Sequence, residues 1–505
     1  MESNNDLSFG VWILIALYIP LVLYFVVRGA KQTKSVKDYA VGSIVFSPWA
    51  VGLSLAATMT SAATFIINPG FIAYYGLSAV ISFVITVPLG AILSLVVLTK
   101  TFRKVGIQIK ALTIADWIGE RYNNKSYAFF FGIVSLLLIT FIVLICVGIT
   151  KLLSLTLGIN ELWILIAVVV FIFGYMMMGG ANSMVYTNTI QAIVMIVVAV
   201  MLLSSGTEHF NTGITGFISK LKDIDSNLAK PFNPNSYFFR DAFEVIFCQI
   251  IVGIAIVCQP HIITKSLLLK KNSDVNKYLF SGVTIQILFF LVVITGLYAR
   301  LTFPDLTYNG APLKLDSVMS IYVIQTFSSF AGVLVVMGLL SAGISTLEGL
   351  IQTISTTITK DLLVPIRERL KLPEFRSEIA VNRWVIVSLA VVTILLSYQQ
   401  LKFPDLSVAI FAQNGVYAFF SSAFVPVLLG SFFKKIPVYI PFSASVVALI
   451  VHFGMYYGRI GSYMQLTVRN PGIPSAMAIL TSTGLALFLI LLYNLQNRKS
   501  RSPND

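Results

Sequence analysis

Apolar runs of bilayer-crossing length, separated by short polar stretches, dominate this chain. A membrane-spanning helix needs about 20 mostly apolar residues. Thirteen segments qualify: 9–28, 46–73, 76–99, 127–156, 161–180, 184–205, 241–264, 278–300, 330–358, 383–399, 407–433, 437–457 and 474–495. The pattern predicts an all-α polytopic membrane protein with about 13 transmembrane helices. Glu2 and Asp6 precede the first run, and Arg28 and Lys31 follow it. It therefore reads as a retained helix with its N-terminus outside, not as a cleaved leader. The longest outside loop, 206–240, holds Pro231 and Pro234 and separates spans two to six from spans seven to eleven. The amphipathic segment 317–330 is expected to lie along the outer surface. The resulting division is a flanking helix and inside loop (1–45), a first five-helix set (46–205), the outside loop (206–240), a second five-helix set (241–433), and two flanking helices with an inside tail (434–505).

Composition narrows the class. Of 505 residues, 57% are hydrophobic and only 11% charged. A soluble fold of this size cannot hide so much apolar surface. Three cysteines (Cys146, Cys248, Cys258), all in apolar runs, point to packing rather than disulfides. The net charge of +14 carries no basic stripe with interleaved aromatics, so nucleic acid is not an expected partner. Instead, 25 of the 35 Lys and Arg fall in loops assigned inside: 28–37, 100–125, 265–277, 360–383, 434–435 and 498–501. This asymmetry predicts an outside N-terminus and an inside C-terminus, in a bacterial inner membrane or a plasma membrane. No obligate protein partner is evident.

Within hydrocarbon, irregular backbone survives only where it lines a cavity. Two interruptions occupy matching places, one at the start of each five-helix set. The second span runs from Gly52 through a Ser/Thr-rich stretch to Thr64, then Asn68-Pro69-Gly70; the seventh runs Gly253–Cys258, then Gln259-Pro260-His261. Paired broken helices point to the midplane site of a secondary transporter; small-residue helix packing is the plainer explanation. In the ninth span, Ser341, Ser345, Glu348, Gln352 and Ser355 form one stripe at about 3.6 residues per turn. Hard oxygen ligands of this kind suit small alkali cations. Glu348 is the one acidic residue expected deep in a span, where a carboxylate costs at least about 2.5–3.5 kcal/mol unless paired or hydrated. It reads as a cation or proton site, or as a structural pair with Lys151 or an Asn. The three His residues, His209, His261 and His452, are too scattered for a transition-metal site.

These residues resemble the sodium:solute symporter family over nearly the whole chain. Lys37-Asp38-Tyr39-Ala40-Val41-Gly42 is similar to its D-Y-F-x-G-G stretch, and Tyr186-Thr187-Asn188 with Gln191 to its W-T-D-x-x-Q. Ala342-Gly343-Ile344-Ser345-Thr346 and Thr359-Lys360-Asp361-Leu362 are similar to its A-x-x-S-[ST] and T-x-D-[LI]. Gln259–Ile263 is similar to the proline symporter's stretch. The resemblance implies a LeuT-like fold of two inverted five-helix repeats, Na⁺ as coupling ion, no organic cofactor, and alternating-access import of a small solute. By motif position it implies a Na⁺ site from the carbonyls of Ala57, Thr60 and Ala342 and the hydroxyls of Ser345 and Thr346. It also implies a pocket at Ser61, Thr64, Phe83, Gln259 and Gln413.

Two departures change the expectation. Members with a second Na⁺ site carry an Asp where this chain has Asn188, and Ser residues where it has Glu348 and Gly349. Asn188 and Glu348 are therefore a candidate second cation or proton site. The proline symporter's bulky pocket aromatics are replaced by Ala63, Val252 and Ile256, so proline is not the expected cargo. Phe303-Pro304-Asp305-Leu306 is similar to the pantothenate and monocarboxylate branch, which favours an organic acid; a sugar or amino acid, or proton coupling, is the alternative. An ion channel or a membrane enzyme is a more distant reading. No charged pore ring supports a channel, no clustered His/Asp constellation an enzyme, and no Walker sequence an ATP-driven pump.

Overall fold

The computed structural model describes residues 2–403 and 406–499. Arg501, counted above in the inside tail, lies outside them. The described chain is almost entirely helical, apart from a two-residue hairpin of β1 (Thr307–Tyr308) and β2 (Ala311–Pro312). Among the described residues, ten helices are long and apolar enough to cross a bilayer, and two bent pairs bring the number of candidate spans to twelve if each pair is one span.

In chain order the helices are α1 (Asp6–Ala30), the bent pair α2 (Pro48–Met59) and α3 (Ala63–Tyr75), α4 (Leu77–Gln108) and α5 (Lys125–Leu157). Then come a shorter apolar helix α6 (Glu161–Met176), α7 (Ala181–Ser204), the second bent pair α8 (Phe243–Ile256) and α9 (Pro260–Leu268), and α10 (Asn272–Thr302). α11 (Ser329–Arg369), α12 (Glu378–Lys402), α13 (Val408–Phe432), α14 (Tyr439–Gly458) and α15 (Gly472–Asn497) complete the set. Each apolar run picked out above has a helical counterpart.

Burial sorts these helices. α11 and α13 are mostly buried, whereas α1, α12 and α15 expose rows of Leu, Ile, Val and Phe. Only a lipid solvent tolerates such outward faces. α2 packs on α7 and α10, α4 on α8, and α11 on α1, α2, α5 and α7. α14 and α15 pair with each other and with α13 at the side. The three cysteines are buried and unpaired.

Two local expectations change. Residues 318–323 are buried inside a short helix, Val318–Thr326, so this segment tucks into the protein instead of lying on its surface. The bend in the second span falls at Thr60–Ala62, ahead of Asn68-Pro69. A wide π turn over Ala63–Ile67 precedes the proline and takes up its missing N–H. In the seventh span the bend falls directly before Pro260.

Candidate ion and solute sites

α2 and α3 meet at 53°, and α8 and α9 at 58°. The last bond of α2 runs from Thr60 N–H to Ala56 O, so the carbonyls of Ala57 and Thr58 lie beyond the final rung and need other partners. They find them on α11. Ser345 Oγ donates to Ala57 O at 2.9 Å and lies 3.1 Å from Ala342 O. Thr346 Oγ1 donates to Thr58 O at 2.9 Å and lies 3.3 Å from Ala342 O. All of these residues are buried.

Four of the five expected Na⁺ ligands are thus brought together: Ala57, Ala342, Ser345 and Thr346. Thr58 O joins them, although sequence reasoning missed it. Thr60 sits at the bend in an extended conformation, and its side chain is engaged by Gln286 of α10, with Gln286 Nε2 donating to Thr60 Oγ1 at 3.0 Å. The cluster is a set of oxygens with no cationic side chain among its members, which fits a small alkali cation. The hydroxyls stand where they cap the carbonyls and can turn to ligate an ion. The close approach depends on Gly349: a Cβ there would lie 2.9 Å from Thr58 Cγ2 and 3.2 Å from His261 Cβ. α11 therefore contacts both broken pairs at one point.

Glu348 lies one helical step away, fully buried, and does not pair with Lys151. Lys151 instead forms an ion pair with Asp316 at 3.1 Å, and Asp316 also accepts from Ser407 Oγ at 2.5 Å and Val408 N at 3.2 Å. Glu348 accepts from Tyr175 Oη of α6 at 2.5 Å and from Thr187 Oγ1 of α7 at 2.8 Å. Asn188 completes the cluster. The amide orientation that satisfies its neighbours has Nδ2 donating to Glu348 Oε2 and Gln191 Oε1, each at 2.9 Å, and Oδ1 accepting from Lys265 Nζ at 3.0 Å.

The charge count assigned Lys265 to an inside loop, but the structure buries it. Its position four residues after His261, along the half-helix that follows Pro260, was the available signal. Tyr175 and Thr187 were missed for a simpler reason: nothing local marks a hydroxyl that reaches another helix.

All five expected pocket residues, Ser61, Thr64, Phe83, Gln259 and Gln413, line one cavity of about 120 Å³. Asn68, His261, Phe141, Phe290 and Tyr417 line it as well. Ser61 lies in the bend just before α3 and Thr64 in its first turn, and Gln259 and His261 flank Pro260 at the start of α9, so both half-helix N-termini border the cavity. Its walls are mainly apolar, and no charged side chain lines it. Gln259 Oε1 and His261 Nδ1 are buried with no partner in the protein. Sequence reasoning only set His261 aside as a transition-metal ligand; its open ring nitrogen and its place in the wall were not visible there.

The fold is that of a multi-pass membrane transporter. It superimposes on a solved Na⁺-coupled sialic acid symporter in a substrate-bound outward-open state, with a TM-score of 0.73 at 18% identity over 95% of this chain and 96% of the other. An Eremococcus coleocola manganese transporter matches at a TM-score of 0.53 and 16% identity, over 91% of this chain and 99% of the other.

The profile of the Sodium:solute symporter family matches residues 39–447, and the chain belongs to that family. A sodium/pantothenate symporter of Haemophilus influenzae is 27% identical over 90% of each chain. Its Escherichia coli counterpart is 26% identical over 92% of this chain and 94% of the other. A sodium/proline symporter of Staphylococcus saprophyticus is 23% identical over 86% of this chain and 83% of the other. The protein is therefore a transporter of the cell membrane that couples solute movement to Na⁺, and its relatives are transporters, not enzymes.

Proposed function

We propose that this protein imports a small organic acid together with Na⁺, and that the ion binds among Ala57, Thr58, Ala342, Ser345 and Thr346. One observation carries the ion assignment: two α11 hydroxyls stand 2.9 Å from two carbonyls that the bend in the second span has freed. An arriving Na⁺ takes these oxygens from one another and bridges α2 to α11. Substrate-bound closure then follows, and both ligands leave inward as the helices rearrange. Coupling requires each ligand to favour the state that the other binds best. With an inside-negative potential, each inward charge adds about 2.3 kcal/mol per 100 mV.

The organic-acid reading rests on the cavity. A carboxylate placed there faces two half-helix N-termini, whose aligned N–H dipoles stabilise anions. The open Gln259 Oε1 accepts from a hydroxyl or amide N–H of the same cargo, and Gln413 and Asn68 supply further polar contacts. The pantothenate symporters among the relatives support this class. Asn188 and Glu348 form a second cation position beside the first.

The test is a melting-temperature screen of purified protein against hydroxy acids, amide-containing acids, sugars and amino acids, in NaCl and in choline chloride. An acid that raises the melting temperature only with Na⁺ supports the proposal. Stabilisation by neutral sugars alone, or equally in both salts, refutes it.

A further inference from the structure

Lys265 is a buried ammonium that the ion site and the solute cavity leave unexplained. An ammonium has three N–H donors. Lys265 Nζ meets Ser54 Oγ at 2.6 Å, Ser54 O at 3.3 Å and Asn188 Oδ1 at 3.0 Å, so each donor has an oxygen. Asn188 passes the interaction on, because its Nδ2 donates to Glu348 Oε2 at 2.9 Å. The order is ammonium, amide, carboxylate, spanning α9, α7 and α11, with Ser54 of α2 on the far side of the ammonium. A lysine and a glutamate, formally of opposite charge, are buried here without a direct ion pair.

An uncompensated carboxylate in this position would be strongly disfavoured. Its two nearest hydroxyl donors, Tyr175 and Thr187, supply hydrogen bonds but no charge. Lys151, the other buried lysine among the described residues, is committed to Asp316. Lys265 is thus the cation closest to the Glu348 cluster in the hydrogen-bond network.

We propose that the Lys265 ammonium is the resident cation of the Glu348–Asn188 position, so that a tethered side chain does there what a free Na⁺ would otherwise do. This rests on reading Asn188 and Glu348 as a second cation position. Oxygens of Ser54 and Asn188 that would coordinate an ion instead accept from the lysine, and the carboxylate is neutralised from within. The consequence is a transporter that takes one Na⁺ per cycle, at the α2–α11 site. The tether also gives the position a mechanical role. Lys265 stands on the half-helix of the second bent pair and Ser54 on the first helix of the other, so the ammonium links both broken pairs through a polar network that must rearrange whenever they move relative to α11.

The experiment counts ²²Na⁺ bound to purified protein in lipid nanodiscs and needs no cargo. Wild type is expected to bind one ion. Lys265→Met leaves the carboxylate without its cation and is expected to bind two, and Lys265→Met/Glu348→Gln returns to one. Two ions on wild type, or a single ion on Lys265→Met, overturns the proposal. If Lys265→Met folds poorly, melting decides: NaCl is expected to stabilise it over choline chloride by a larger margin than it stabilises the double variant, and equal margins overturn the proposal. Failure of the first ion site itself reads differently, as loss of the wild-type ion altogether.

Discussion

Ser345→Ala removes one oxygen from the α2–α11 cluster and leaves the backbone carbonyls in place. A hydrogen bond or ligand contact to a charged partner contributes about 1.5–3 kcal/mol. The full amount is not lost, because in the ion-free protein the same hydroxyl caps Ala57 O at 2.9 Å, and an incoming ion must displace that bond. Alanine leaves this buried carbonyl uncapped, which raises the energy of the ion-free state and offsets part of the loss. The remainder is about 1.4 kcal/mol, or roughly a tenfold weaker Na⁺ affinity. Thr346→Ala, whose hydroxyl caps Thr58 O at the same distance, is expected to behave alike. The two share Ala342 O as a neighbour, so their effects need not add. ²²Na⁺ titration of the purified variants measures the shift. Thr353→Ala is the control, since that hydroxyl bonds the carbonyl of Gly349 on its own helix at 2.8 Å. If Ser345→Ala and Thr346→Ala both keep wild-type affinity, or if Thr353→Ala weakens binding as much, the ion does not sit between these helices.

Gly349→Ala places a methyl group against Thr58 and His261 and is expected to lower Na⁺ affinity several-fold by holding α11 off both bends, as the same titration will show. Lys151→Met strands Asp316 in a buried setting and should cost about 3–5 kcal/mol of stability, visible as a large drop in melting temperature. Asp316→Asn should also lower the melting temperature, because it leaves Lys151 without its counter-charge and keeps only one of the two oxygens that Ser407 Oγ and Val408 N–H bond separately. Gln259→Leu and Gln413→Leu are each expected to weaken cargo binding about tenfold while leaving Na⁺ binding without cargo intact; Na⁺-dependent melting shifts with and without cargo separate the two effects.

The structure assigns different origins to different features. Spans were legible because lipid imposes a length and a polarity that any multi-pass chain must write into consecutive residues. The bends were legible as polar and proline-containing interruptions, although the Ser/Thr run and the π turn at Ala63–Ile67 moved the first one ahead of Pro69. Ser345 was legible from the helical stripe it shares with Ser341 and Glu348, and Thr346 through the resemblance to the family's A-x-x-S-[ST] stretch. Thr58 escaped notice because its contribution is a carbonyl, which every residue has.

Lys265 shows most plainly where sequence runs out. Counting charges along the chain places a lysine at the edge of an apolar run in water, since only burial by other helices makes it anything else. Likewise the hydrogen-bond partners of Glu348 come from α6 and α7, with the α9 lysine behind Asn188, and Lys151 takes Asp316 from a loop 165 residues away. What the chain determines alone is local: which segments enter the membrane, where their backbones break, and which helix faces carry oxygen. Which charge neutralises which depends on distances between segments remote in sequence, and in a low-dielectric interior those distances set the energy.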